Sequence, residues 1–356
     1  MTALLLLLTL ALAFANGAND VSKGIATLVG SGVTSYRAAV TWGSVATFAG
    51  AITAASLTQG LVATFSGKGI VTNPTDAPAF LLAVAVGAIG WLMVATLTGM
   101  PVSTTHSLVG ALVGTGLLQA GLRGVTWNAL IGKVAAPLLF SPIAALVLVI
   151  VILPLMRPLL YRSNRYCVCV EQTSLATPEG IAFREAVPSV AVGEDTSCSK
   201  AVARVSAIDA AHWMSSGATS FFRAVNDTPK IVALGIAAAA ALRLAGWHVY
   251  LLVAAAMALG SLVAGFRVTA TLAQKVTRVT PENGLIANLA TSILVAAASR
   301  FVLPVSTTHV STGAIVGIGA QGSGVRWKLV GEMLLAWLVT LPVSGALAAV
   351  ALTALR

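Results

Sequence analysis

Apolar runs separated by short polar connections fill most of the chain. After an opening run at Met1–Ala15 they recur at about 38–65, 78–99, 101–121, 126–156, 208–242, 247–272, 284–301, 304–321 and 327–354. A helix needs roughly 20 apolar residues to cross a bilayer, and most of these runs are near that length. Two of them, 101–121 and 304–321, are short, Gly-rich and open on Pro101 and Pro304, as re-entrant or broken segments do. Met1–Ala15 imitates a secretory signal, with Ala13-Phe14-Ala15 in the place of a cleavage site. It has no cation before Lys23 and runs straight into a polar motif, so it reads as the first half of a broken membrane helix. Residues 157–207 form the only extended polar stretch, expected as a solvated loop.

The polar interruptions repeat. Pro101-Val102-Ser103-Thr104-Thr105-His106 returns unchanged as Pro304-Val305-Ser306-Thr307-Thr308-His309, and Asn19-Asp20 returns as Asn226-Asp227. Trp127 answers to Trp327 and Pro142 to Pro342. Two motifs in the same order at nearly the same separation indicate two structural repeats. With five segments in each, an odd number, the copies run through the bilayer in opposite senses. The expected fold is an all-α integral membrane protein. It has about ten membrane segments (ten to twelve counting broken pieces) in two inverted-topology repeats, 1–156 and 208–356, joined by the polar loop 157–207.

Composition sharpens this picture. Apolar residues make up 57% of the chain and charged residues only 9%, against roughly 25% charged in soluble domains. The 33 glycines suit closely packed helices better than a barrel. A net charge of +10 would fit nucleic acid, but the cations sit in the connections, where the positive-inside bias accounts for them. Arg157, Arg162 and Arg165 after the fifth span put the central loop in the cytoplasm and both termini outside, in a multi-pass protein of the plasma (inner) membrane. Lys275, Arg278, Arg326 and Lys328 then fall inside, while Lys68, Arg123, Arg243 and Arg300 fall outside as single charges. Cys167, Cys169 and Cys198, with His212, do not have zinc-site spacing and are expected as reduced thiols beside an ordinary histidine.

The chemistry concentrates in the repeated motifs. Asp20 and Asp227 lie in the middle of apolar runs, where a carboxylate costs roughly 2.5–3.5 kcal/mol even on the lenient scale. Lys23 and Lys230 each follow three residues on and can pair with them on one helix face. Pro229 after Thr228, and Gly17 in the first half, suggest a kink or helix start at each Asn-Asp. The Ser-Thr-Thr-His runs read as helix N-caps facing a polar cavity. Hydroxyls and helix N-termini suit a tetrahedral oxyanion; hydroxyl and carboxylate oxygens together suit a hard cation. No P-loop, dinucleotide fingerprint or nucleophile elbow occurs, so the chain is read as a non-enzyme without a cofactor. A secondary transporter is the leading reading; an anion channel or sensor is the alternative from another class.

At these motifs the chain resembles the inorganic phosphate transporter (PiT) family, which includes sulfate permeases. Asn16-Gly17-Ala18-Asn19-Asp20-Val21 is similar to its first signature and Ala224-Val225-Asn226-Asp227 to a degenerate second copy. Gly265-Phe266-Arg267-Val268, Pro281, Gly284-Leu285 and both Pro-Val-Ser-Thr-Thr-His runs match as well. The resemblance implies symport of inorganic phosphate, or of sulfate or a related oxyanion, with Na⁺ or H⁺, in a dimer embedded in the lipid bilayer. Its site roles fall on Asn19, Asp20, Asn226 and Asp227, and on Ser103, Thr104, Thr105, Ser306, Thr307 and Thr308. Lys23, Lys230, His106 and His309 are accessory positions. The family signature usually continues Asp-Val-Ala-Asn; here Lys23 and Lys230 replace the second Asn. An ammonium beside the carboxylate implies loss of at least one Na⁺ site.

Overall fold

The computed structural model describes residues 1–66, 70–72, 78–163, 166–173, 187–194 and 201–356. In the first half, α1 (Thr2–Asp20) and α2 (Ser22–Gly30) are followed by α3 (Tyr36–Leu57), α4 (Gln59–Phe65), α5 (Pro78–Thr98) and α6 (Thr104–Ala120). A three-residue helix, α7 (Trp127–Ala129), and a π-turn at Leu130–Ala135 then lead into α8 (Ala136–Ser163). In the second half come α9 (Ala207–Ala241), α10 (Gly246–Ala264), α11 (Phe266–Gln274), α12 (Pro281–Arg300), α13 (Thr307–Ile318) and α14 (Trp327–Leu355). Among the described residues, six helical segments are long and apolar enough to cross a membrane: Thr2–Gly30, Tyr36–Leu57, Pro78–Thr98, Trp127–Leu160, Gly246–Ala264 and Trp327–Leu355.

Three expectations need correction. The central stretch is more than a solvated loop, and the fold is not purely helical. Strands β1 (Tyr166–Thr173), β2 (Val187–Glu194) and β3 (Ala201–Ser206) form an antiparallel sheet in the order β2-β1-β3. Val recurs at alternate positions in β1 (168 and 170) and β2 (190 and 192), the β-branched pattern that favours strands. Cys167 and Cys169 lie in β1; Cys198, Lys68 and Arg165 lie outside the described residues. The second Asn-Asp motif is not a helix start either. Helix α9 runs unbroken through Pro229. One lost backbone hydrogen bond is a local penalty, and packing along the rest of a long helix outweighs it. In the first half the interruption falls at Val21, not Gly17, and Val21 keeps helical φ/ψ of −55° and −33°.

The halves interlock with matching contacts. Helix α1 packs on α10 as α9 packs on α3, and α6 packs on α14 as α13 packs on α8. Such close crossings need small residues at the contact. A Cβ on Gly17 would overlap the Met257 carbonyl oxygen, and one on Gly260 would overlap that of Phe14, so these two glycines are reciprocal halves of one α1–α10 crossing. Gly260→Ala is expected to destabilise the protein by about 1–3 kcal/mol through overpacking. Thermal unfolding in detergent, followed by size exclusion, measures it.

Connections pair in the same way. Thr126 N donates to Ile70 O at 2.9 Å, and Arg326 N donates to Val276 O at 3.0 Å.

Candidate functional site

Each Pro-Val-Ser segment is extended and delivers the N-terminus of a helix into the protein interior. Ser103 caps α6, its Oγ accepting from His106 N at 3.2 Å. Ser306 caps α13 in the same manner, accepting from His309 N at 3.3 Å. The two runs are cross-linked: Thr308 Oγ1 donates to Val102 O at 2.7 Å, and Thr105 Oγ1 donates to Val305 O at 3.3 Å. Both runs therefore form the expected helix caps, but they are buried against each other and face no open polar cavity among the described residues. In this arrangement the two serine oxygens are used as caps.

The Asn-Asp motifs lie against these helix ends. Asp20 Oδ1 accepts from Lys23 Nζ at 2.6 Å, and its Oδ2 accepts from Asn16 Nδ2 at 2.9 Å and Thr104 Oγ1 at 3.3 Å. Asp227 Oδ1 accepts from Lys230 Nζ at 3.0 Å and Asn226 Nδ2 at 3.2 Å. Among the described residues Asp227 Oδ2 has only long contacts, Asn16 Nδ2 at 3.4 Å and Thr307 Oγ1 at 3.5 Å. One amide group thus bridges carboxylates 207 positions apart in the chain. Asn19 Nδ2 donates to Thr96 Oγ1 and to Met100 O, both at 3.1 Å, while Val102 N donates to Asn19 Oδ1 at 3.3 Å. Asn226 Nδ2 also donates to Val305 O at 3.2 Å.

Arg223 completes the cluster and was not anticipated. It is fully buried, with Nη1 donating to Asn16 Oδ1 at 3.0 Å and Nη2 to Thr47 Oγ1 at 2.6 Å; its Nε has no partner. No carboxylate forms an ion pair with it among the described residues: Asp20 is paired with Lys23 and Asp227 with Lys230. In their ordinary ionised forms the cluster holds three cations and two anions. An excess buried positive charge is unfavourable unless an anion compensates it. The signal existed in the sequence, since Arg223 is an isolated cation one helical turn before Asp227. Asn16 likewise lay one turn before Asp20.

The histidines face elsewhere. His106 and His309 have ring centroids 4.5 Å apart, and His309 stacks on Trp337 at 3.8 Å. Both line an apolar cavity of about 1080 Å³ between α6, α8 and α14. Neither touches the carboxylates. His212 Nε2 contacts Thr27 Oγ1 at 3.0 Å, and no His/Cys/Asp/Glu group with metal-holding geometry occurs among the described residues. Asn19, Asp20, Asn226 and Asp227, Lys23 and Lys230, and Thr104, Thr105 and Thr307 therefore converge in one place. The cluster is closed: Asp20 and Asp227 are each 1% exposed.

The chain is similar to known proteins over nearly its whole length. Residues 16–348 match the family described as "Phosphate transporter family". A protein of Rhizobium meliloti (strain 1021), named "Probable low-affinity inorganic phosphate transporter", is 30% identical over 94% of this chain and 91% of its own. One of Bacillus subtilis (strain 168) with the same name is 29% identical over 99% of this chain and 96% of its own. A solved structure titled "The sodium-dependent phosphate transporter" superposes with a TM-score of 0.79 at 22% identity, covering 99% of this chain and 98% of that one.

Proposed function

Because the chain belongs to the phosphate transporter family, we propose that it is a secondary transporter carrying inorganic phosphate by symport with H⁺ or Na⁺. It is a multi-pass membrane protein with a transport role. The observation that carries the proposal is the closed cluster of Asp20, Asp227, Lys23, Lys230 and Arg223, whose formal charge exceeds neutrality by one cation. The guanidinium of Arg223, whose Nε has no partner among the described residues, and the N-termini of α6 and α13 supply donors for an oxyanion.

Phosphate is favoured over sulfate by the acceptor side of the site. At neutral pH phosphate still carries a P–OH proton and sulfate carries none. Asp227 Oδ2, with contacts only at 3.4 and 3.5 Å, is an acceptor short of full engagement. A closed site favours alternating access over a continuous anion channel. Coupling is physically needed for uphill uptake: each negative charge brought in against an inside-negative potential costs about 2.3 kcal/mol per 100 mV.

The architecture we propose is ten membrane segments in two inverted repeats, 1–156 and 208–356, flanking a cytoplasmic 157–207 insert. The matched contacts α1–α10 with α9–α3, and α6–α14 with α13–α8, support it. The loop pairing supports the orientation. Residues 276 and 326, beside Lys275, Arg278 and Lys328, meet at one site, and residues 70 and 126 at another. We assign the plasma membrane and a dimer as the working assembly.

The decisive test is uptake of labelled phosphate into proteoliposomes, with unlabelled phosphate or sulfate as competitor. Saturable counterflow suppressed by phosphate and only weakly by sulfate is expected. Equal suppression by sulfate, or flux linear in concentration, overturns the reading.

A further inference from the structure

The two lysines are held in a way that a simple helix ion pair does not require. Lys23 Nζ donates to Asn19 O at 2.9 Å, Asn19 Oδ1 at 2.8 Å and Asp20 Oδ1 at 2.6 Å. Lys230 Nζ donates to Thr105 Oγ1 at 2.7 Å, Asp227 Oδ1 at 3.0 Å and Val305 O at 3.1 Å. Each ammonium thereby spends all three of its protons, and both side chains are shielded from solvent. The two oxygen sets are not copies. The first comes from one helical turn; the second is assembled from α9, the end of α6 and the extended Pro304–Ser306 segment. Each nevertheless contains one carboxylate and one main-chain carbonyl, completed by an amide or hydroxyl oxygen. That is the donor chemistry of a hard monovalent cation.

We propose that Lys23 and Lys230 are tethered counter-ions. Each ammonium fills an oxygen cage that a free monovalent cation would otherwise occupy, so phosphate transport by this chain does not require Na⁺. The proposal rests on the phosphate reading and narrows its coupling. An ammonium in the cage blocks a second cation by volume and by charge. Truncating the lysine leaves the carboxylate and two further oxygens around a vacated space, and the variant acquires a need for Na⁺ that the parent lacks.

The test compares labelled phosphate uptake by the parent, Lys23→Ala and Lys230→Ala in Na⁺ and in choline media. The parent is expected to change less than twofold. Each variant is expected to fall at least tenfold in choline and to recover in Na⁺. Equilibrium binding of ²²Na⁺ to the purified protein, which needs no phosphate, separates failure of the cage from failure of the substrate assignment. Binding is expected in the variants and not in the parent. If the alanine variants do not fold, Lys23→Gln and Lys230→Gln replace them. A parent whose uptake falls tenfold without Na⁺, a parent that binds ²²Na⁺ at these cages, or folded variants that bind none overturns the proposal. Absence of phosphate uptake under every cation sinks the functional reading instead and leaves the binding result to judge the cages.

Discussion

Arg223→Met is expected to abolish phosphate uptake while leaving a folded protein. Among the described residues the guanidinium is the buried cation without a paired carboxylate: Asp20 and Asp227 are already paired with Lys23 and Lys230. Removing it brings the buried cluster to formal neutrality, so its two ion pairs remain balanced. The cost to folding is confined to hydrogen bonds with Asn16 Oδ1 and Thr47 Oγ1, about 1–3 kcal/mol each if they are left unmet. The cost to anion binding is of similar size but falls wholly on function. Two unit charges about 4 Å apart interact by roughly 4 kcal/mol at an effective dielectric of 20, and about 2.7 kcal/mol is already a hundredfold in affinity. Uptake at low phosphate should fall at least about 100-fold, with the thermal midpoint in detergent lowered by several degrees and the transition still cooperative. Uptake within threefold of the parent removes Arg223 from the binding site.

Asp20→Asn should fail in the opposite order, at folding first. Lys23 and Asp20 are 0% and 1% exposed, and neutralising the acid leaves a buried ammonium with only dipoles around it. Breaking such a pair on one side costs about 3–5 kcal/mol, whereas replacing both partners with apolar residues is close to neutral. Asp20→Leu combined with Lys23→Met is therefore expected to regain the stability that Asp20→Asn loses, without regaining transport. Thermal unfolding and uptake, measured on the same three proteins, test this together. Parent-like stability of the single variant would mean the pair is not held charged.

Much of this was legible beforehand because it is local. Asp20 with Lys23 and Asp227 with Lys230 are three apart, and helix geometry puts such residues on one face whatever surrounds them. Ser103 and Ser306 cap helices because Pro-Val-Ser imposes an extended approach ending in a good cap. Arg223 escaped notice because a cation outside the repeated motifs, in a 35-residue helix, resembles any membrane-edge charge until its depth is known. The sheet of β1, β2 and β3 escaped notice because a polar stretch between apolar spans looks like loop.

Sequence alone determined the apolar segments, the duplication and the identity of the two acid–lysine pairs, since each depends on composition or on spacing within a few residues. Tertiary structure alone decided that Asn16 joins Asp20 to Asp227, that Val305 O reaches Lys230, and that Arg223 lies buried with no acid of its own among the described residues. Those contacts join groups roughly 75 to 211 positions apart. They exist only because the interlocked helices bring both extended runs to one point, and local propensity carries no information about that meeting.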